Sequence, residues 1–107
     1  MTLVRDYKKT INERVQSDSE FAIALLDEAV TLFLNGEPKT ARLILRDLVK
    51  ATVGFQTLAK ETAKPSKSLD RMLSAKGNPT MDNLTKIFKS LREKLNVNIN
   101  VQTVLCH

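Results

Sequence analysis

The chain has 107 residues, 17 Lys and Arg against 12 Asp and Glu for a formal net charge of +5, one His, one Cys and no Trp. With 42% hydrophobic and 27% charged residues and only three Gly and three Pro, it has the composition of one folded globular domain, not of a disordered, collagen-like or disulfide-framed chain. Aromatic residues make up only 5%, so the core is expected to be aliphatic and modest, stabilised further by a partner or a second copy.

The opening MTLVRDYKKT lacks the apolar stretch and cleavage site of a secretory signal, so the cytoplasm is the expected location. Read by hydrophobic period, the chain is mainly α, with about six helices in a single domain. The first runs from about Val4 to Val15, with Tyr7, Ile11 and Val15 on one narrow stripe, and ends at Ser17-Asp18-Ser19. The second starts with Asp18 or Ser19 as N-cap and runs to about Leu34, with Phe21, Leu25, Leu26, Ala29, Val30, Phe33 and Leu34 on a broad apolar face. This is the longest apolar-rich stretch, and Asp27, Glu28 and Thr31 interrupt it. A membrane span needs about 20 mostly apolar residues, so no membrane partner is expected.

Asn35-Gly36 stops that helix, and the third begins with Pro38 in its first turn and runs to about Val53. Ala41, Ile44, Leu45, Leu48 and Val49 point inward by spacing, and Lys39, Arg42, Arg46 and Lys50 outward. After Gly54 come two short helices, Phe55 to about Thr62 and Ser66 to about Leu73, joined by Ala63-Lys64-Pro65. Pro79 then breaks the chain, Thr80 caps, and Leu84, Ile87, Phe88, Leu91 and Leu95 mark a last helix to about Lys94. From there the period changes to two: Val97, Ile99 and Val101 alternate with Asn96, Asn98, Asn100 and Gln102, the pattern of a half-buried strand. No other segment alternates this way, so the expected solution is a strand paired with its copy in a second subunit or with another protein's sheet edge, and the alternative is a disordered polar tail. Residues 1–53, 54–95 and 96–107 thus form three subregions of one domain.

The charge is unevenly placed. Met1 to Gly36 holds four basic and six acidic residues, whereas Glu37 to Leu95 holds thirteen basic and six acidic. A field of that sign suits nucleic acid or an anionic surface, although a basic domain without such a partner carries it too. Catalysis is not expected, because the single His and the single Cys are the last two residues, with no fixed base or nucleophile around them. No metal-ligand spacing or glycine-rich phosphate loop is present, and no cofactor is expected.

The segment LAKETAKPSKSLDRMLSAKGNP, Leu58 to Pro79, resembles the helix-turn-helix of the Cro-repressor (XRE) family. Leu58 and Ala59 stand at the apolar pair of the first helix, and Leu69 and Met72 on the inward face of the recognition helix. The resemblance implies a lambda-repressor-like fold in this region. It places base-reading positions on Ser66, Lys67 and Arg71, counts the exposed Asp70 among them, and puts phosphate contacts on Gln56, Lys60, Lys64, Lys76 and Asn78. Arg and Lys suit guanine O6 and N7 in the major groove. The chain departs from the family at Ala63, where Gly is usual in the turn, at Phe55, where Gln is usual, and at Ala75, where Gly often ends the recognition helix.

With its N-terminal helices and Gly77-Asn78-Pro79-Thr80, nearly the whole chain is similar to addiction-module antidote proteins, antitoxins of the HigA type. That resemblance implies a homodimer that binds palindromic double-stranded operator DNA, represses its own operon and neutralises a RelE/HigB-like toxin. Glu13, Asp18, Glu20, Asp27 and Glu28 would complement a basic toxin, although the same residues also suit solvated helix faces and caps. The alternatives are a stand-alone helix-turn-helix regulator of the phage-repressor type and a protein-binding module that has lost DNA binding.

Overall fold

The computed structural model describes residues 19–106. Five helices occupy them: α1 (Ser19–Leu34), α2 (Pro38–Ala51), α3 (Phe55–Thr62), α4 (Ser66–Met72) and α5 (Met81–Leu95). The expected helix from Val4 to Val15 lies outside the described residues. No helix among the described residues is long and apolar enough to cross a membrane.

α1 and α2 form a helical hairpin, joined by a turn whose geometry the sequence dictates. Gly36 adopts φ 87°, a conformation that costs a residue with a Cβ but not glycine. Around it the Gly36 N–H bonds to the Phe33 carbonyl at 3.3 Å and the Glu37 N–H to the Leu32 carbonyl at 2.8 Å, closing the open carbonyls of the α1 end. Pro38 follows within the first turn of α2, where its missing N–H costs nothing. The facing surfaces carry small residues, Ala22 and Ala29 on α1 and Ala41 on α2, all fully buried.

Below this hairpin, α3 packs against both α4 and α5, and α1 touches α5. Leu26, Leu45, Leu48, Leu58, Leu69, Leu73, Ile87 and Leu91 are all essentially inaccessible. Each contributes about 1.5–3 kcal/mol of transfer free energy, so the core is aliphatic as the composition requires. The Phe33 and Phe88 rings meet edge to face with centroids 6.0 Å apart and tie α1 to α5.

α2 ends at Ala51, two residues short of the expected Val53. Thr52 leaves helical geometry at φ −117°, ψ −83°, while its hydroxyl donates to the Leu48 carbonyl at 2.7 Å and the Gly54 N–H reaches the Val49 carbonyl at 2.7 Å. α5 has the expected cap: the Thr80 hydroxyl accepts from the Asn83 N–H at 3.1 Å.

The C-terminal expectation needs correction, because no strand forms among the described residues. Asn96 takes a left-handed conformation, φ 57°, at the end of α5, and the Val97 N–H bonds to the Arg92 carbonyl at 3.0 Å. This turn sends the chain across α1, where Val97 and Ile99 pack half-buried against the core while Asn98 and Asn100 stay exposed. The Arg92 guanidinium holds the Asn98 side-chain oxygen at 2.7 Å. The two-residue alternation therefore reports an extended segment with one covered face, and a helical surface covers it without a ladder.

Candidate nucleic-acid interface

The α3 to α4 connection is a tight turn fixed by backbone geometry and a buried side-chain hydrogen bond. Leu58 is fully buried and Ala59 half-buried, which leaves room for α4 to approach. Thr62 is buried too, and its hydroxyl donates to the Leu58 carbonyl at 2.7 Å, so no polar group is stranded there. Ala63 occupies the left-handed region at φ 56°, ψ 36°, where glycine is favoured. The Lys64 N–H reaches back to the Ala59 carbonyl at 3.2 Å, and Pro65 then enters α4, its carbonyl accepting from the N–H groups of Ser68 and Leu69.

α4 turns Leu69 and Leu73 into the core and leaves Met72 half-buried. Leu73 is an inward residue that the sequence reading omitted, although it lies one turn after Leu69. Lys67 and Arg71, also one turn apart, are both exposed on the opposite side. Ser66 is half-buried at the helix start. On α3, Gln56 and Lys60 are exposed one turn apart, and Lys64 is half-buried in the connecting turn.

Beyond α4 the chain bends back tightly. The Ser74 hydroxyl donates to the Arg71 carbonyl at 2.7 Å, and the Gly77 N–H bonds to the Ser74 carbonyl at 3.0 Å. A shallow depression results, lined by Ser68, Arg71, Met72, Lys76, Gly77 and Asn78. Arg71, Lys76 and Asn78, singled out separately in the sequence, thus converge on one concave surface. Gln56 and Lys60 lie outside that depression, on the exposed side of α3.

Two side chains of α2 add to these anchors, and residue spacing did not show it. Arg42 and Arg46, expected to point outward, reach across to α4 and its C-terminal turn. The Arg42 guanidinium donates to the Ser74 carbonyl at 3.0 Å and the Ala75 carbonyl at 2.9 Å. A cation on carbonyls just past a helix end also suits the negative pole of that helix. Arg46 donates to both carboxylate oxygens of Asp70, at 2.8 and 3.3 Å. Asp70, expected exposed among the base-reading positions, is instead half-buried and engaged by Arg46. The hydrogen bond from Arg46 holds its carboxyl below the usual carboxylate range, partial burial opposes this, and the charges of Arg46 and Lys50 add to the lowering. One signal was legible in advance: Asp70 is the only acidic residue between Glu61 and Asp82.

A second surface lies between α1 and the extended tail. Glu20, Ile23, Ala24 and Asp27 follow one another along one face of α1, and Leu26, Val97 and Ile99 complete a groove with Asn98 and Asn100. No Lys or Arg is among these lining residues. Glu28 is also exposed on α1, whereas Glu13 and Asp18 lie outside the described residues.

Among the described residues no group of His, Cys, Asp and Glu could hold a metal ion, and Cys106 is an exposed free thiol. Compared with protein-family models, curated proteins and solved structures, the chain matches none of them.

Proposed function

We propose that the chain is a cytoplasmic DNA-binding antitoxin and autorepressor, in which α3, the Ala63-Lys64-Pro65 turn and α4 act as a helix-turn-helix. The observation that carries this reading is the presentation of α4. Leu69 and Leu73 anchor it from below, and Arg42 ties the turn at its C-terminal end, so the exposed Lys67 and Arg71 are held on a fixed outer face. A helix that reads bases must project from the core at a defined angle, and these anchors provide the rigidity.

In this mechanism α4 enters the major groove. Arg71 and Lys67 donate to guanine O6 and N7, and the Ser66 hydroxyl makes a permissive contact. Gln56, Lys60, Lys64, Lys76 and Asn78 set the register on the phosphates, which carry most of the affinity but no direct sequence information. One such unit covers only a few base pairs. Two copies on a palindrome, with half-sites about 34 Å apart or a multiple of that, supply the rest. Val101, Val104 and Leu105 leave 60%, 79% and 87% of their surfaces open, and they provide apolar area for a homodimer contact.

The second activity in this reading is capture of a RelE/HigB-like toxin. The groove between α1 and the tail supports it, since Glu20 and Asp27 flank apolar Ile23 and Leu26 in a chain whose excess charge is otherwise positive.

The test is titration of the protein's own upstream promoter DNA at two salt concentrations, with and without the product of the adjacent gene. Sequence-selective, salt-sensitive binding that responds to the neighbour supports an autoregulating antitoxin. Binding that ignores the neighbour favours a stand-alone regulator, and no binding at low salt leaves only protein contacts.

A further inference from the structure

Asp70 is the one acidic residue of α4, set between Lys67, one turn earlier, and Arg71, next in sequence. Helical spacing puts it on the flank of α4, between the buried line of Leu69 and Leu73 and the open line of Lys67 and Arg71. We propose that Arg46 is a positioning residue for nucleic-acid recognition: its two-pronged contact removes the Asp70 charge from the α4 face and keeps that carboxylate away from the bases. The proposal rests on the DNA-binding reading of α4 and names what regulates that face.

The chemistry of an untied Asp70 explains why a tie is needed. A carboxylate facing a duplex is repelled by phosphates, and it accepts a hydrogen bond from the cytosine N4 amino group, which competes with the guanine contacts of Lys67 and Arg71. Arg46 engages both carboxylate oxygens, at 2.8 and 3.3 Å, so it offsets the charge and occupies one acceptor site on each oxygen together. No other cation stands in the same place. Arg42, one turn earlier on α2, is committed to the Ser74 and Ala75 carbonyls, and the exposed Lys50, one turn later, makes no hydrogen bond to Asp70. A lysine at position 46 would offer a point charge without the fork.

The experiment is a double-mutant cycle on the full chain, reading promoter affinity for wild type, Arg46→Gln, Asp70→Asn and the double variant, with folding checked by circular dichroism. Arg46→Gln is expected to weaken binding roughly threefold to thirtyfold, within the range of coupling between contacting residues. Asp70→Asn should stay within about twofold of wild type, and adding Arg46→Gln to it should cost no more than about twofold further. Arg46→Gln should also raise tolerance of a C·G pair facing the first turns of α4, a readout that loss of rigidity would not produce.

An equal cost of Arg46→Gln in both backgrounds overturns the proposal, because the effect is then general charge. Damage from Asp70→Asn as large as that from Arg46→Gln also overturns it, because the tie is then only structural. If Arg46→Gln does not fold, Arg46→Lys replaces it: a loss rescued by Asp70→Asn supports the proposal, and no loss or an unrescued one overturns it. A wild-type chain that binds no DNA at low salt removes the DNA reading and this proposal together, a result distinct from those above.

Discussion

A Cβ atom placed on Gly77 would lie 2.1 Å from the backbone carbonyl oxygen of Met72 and 2.6 Å from that of Arg71. The chain leaving α4 is thus pressed onto the helix end by a glycine that does not need a special φ but does need to lack a side chain. This contact shapes the depression shared by Arg71, Lys76 and Asn78. Gly77→Ala must push backbone against backbone and should destabilise by about 1–3 kcal/mol in urea unfolding, the usual cost of overpacking. Gly36 provides the contrast: nothing lies within 4 Å of its would-be Cβ, but its φ is 87°. Gly36→Ala should cost about 1–2 kcal/mol through backbone strain alone and leave DNA affinity unchanged.

Ala63 offers a change in the other direction. Its left-handed conformation carries a steric penalty that glycine lacks, and the greater freedom of glycine in the unfolded chain offsets part of the relief. Ala63→Gly should stabilise by about 0.5–1 kcal/mol, read as a higher denaturation midpoint with an unchanged slope. A destabilised variant would mean that the Ala63 methyl group packs usefully in the turn.

The Arg46–Asp70 pair predicts a pH effect of definite sign. The folded-state pKa of Asp70 is lowered, so its stabilising contribution is present above the unfolded value and is lost as pH falls through the folded one. Wild type should lose stability below about pH 4 more steeply than Asp70→Asn. The side chains are 28% and 43% exposed, so the difference should not exceed about 1 kcal/mol. Parallel melting curves for the two proteins between pH 3 and 6 would remove this pair from the acid response.

The two kinds of DNA contact should separate by specificity. Arg71→Ala is expected to cost about 1–3 kcal/mol on the cognate site and to relax the base preference there. Lys76→Ala should weaken all sequences alike and reduce the salt slope by about 1. Loss of selectivity from Lys76→Ala with none from Arg71→Ala would invert the assignment.

Truncation distinguishes the two parts of the tail. Ending the chain after Asn100 removes the exposed Val101, Val104 and Leu105 but keeps the half-buried Val97 and Ile99. Sedimentation should then shift toward monomer while the helical circular-dichroism signal per residue is retained. Ending after Asn96 uncovers α1 and should also lower the melting temperature. A dimer that survives both cuts places its interface elsewhere.

By itself the sequence determined the local architecture. Pro38, Gly54, Pro65 and Thr80 sit within a residue of the helix starts they announced, and Gly36 forms the turn that ends α1. The exposure of Lys67, Arg71, Lys76 and Asn78 was legible as well, because these are short-range properties: backbone preference and hydrophobic period act over one or two turns. Tertiary structure alone decided what lies across a gap. Arg42 and Arg46 read as solvated cations by spacing, yet they meet partners 24 to 33 residues away, and no periodicity encodes which distant group a long side chain will reach. The tail differs from its expected strand for the same reason. The alternation of Val97 and Ile99 specified one covered face, but whether a neighbouring strand or the side of α1 covers it depended on where the left-handed Asn96 sent the chain.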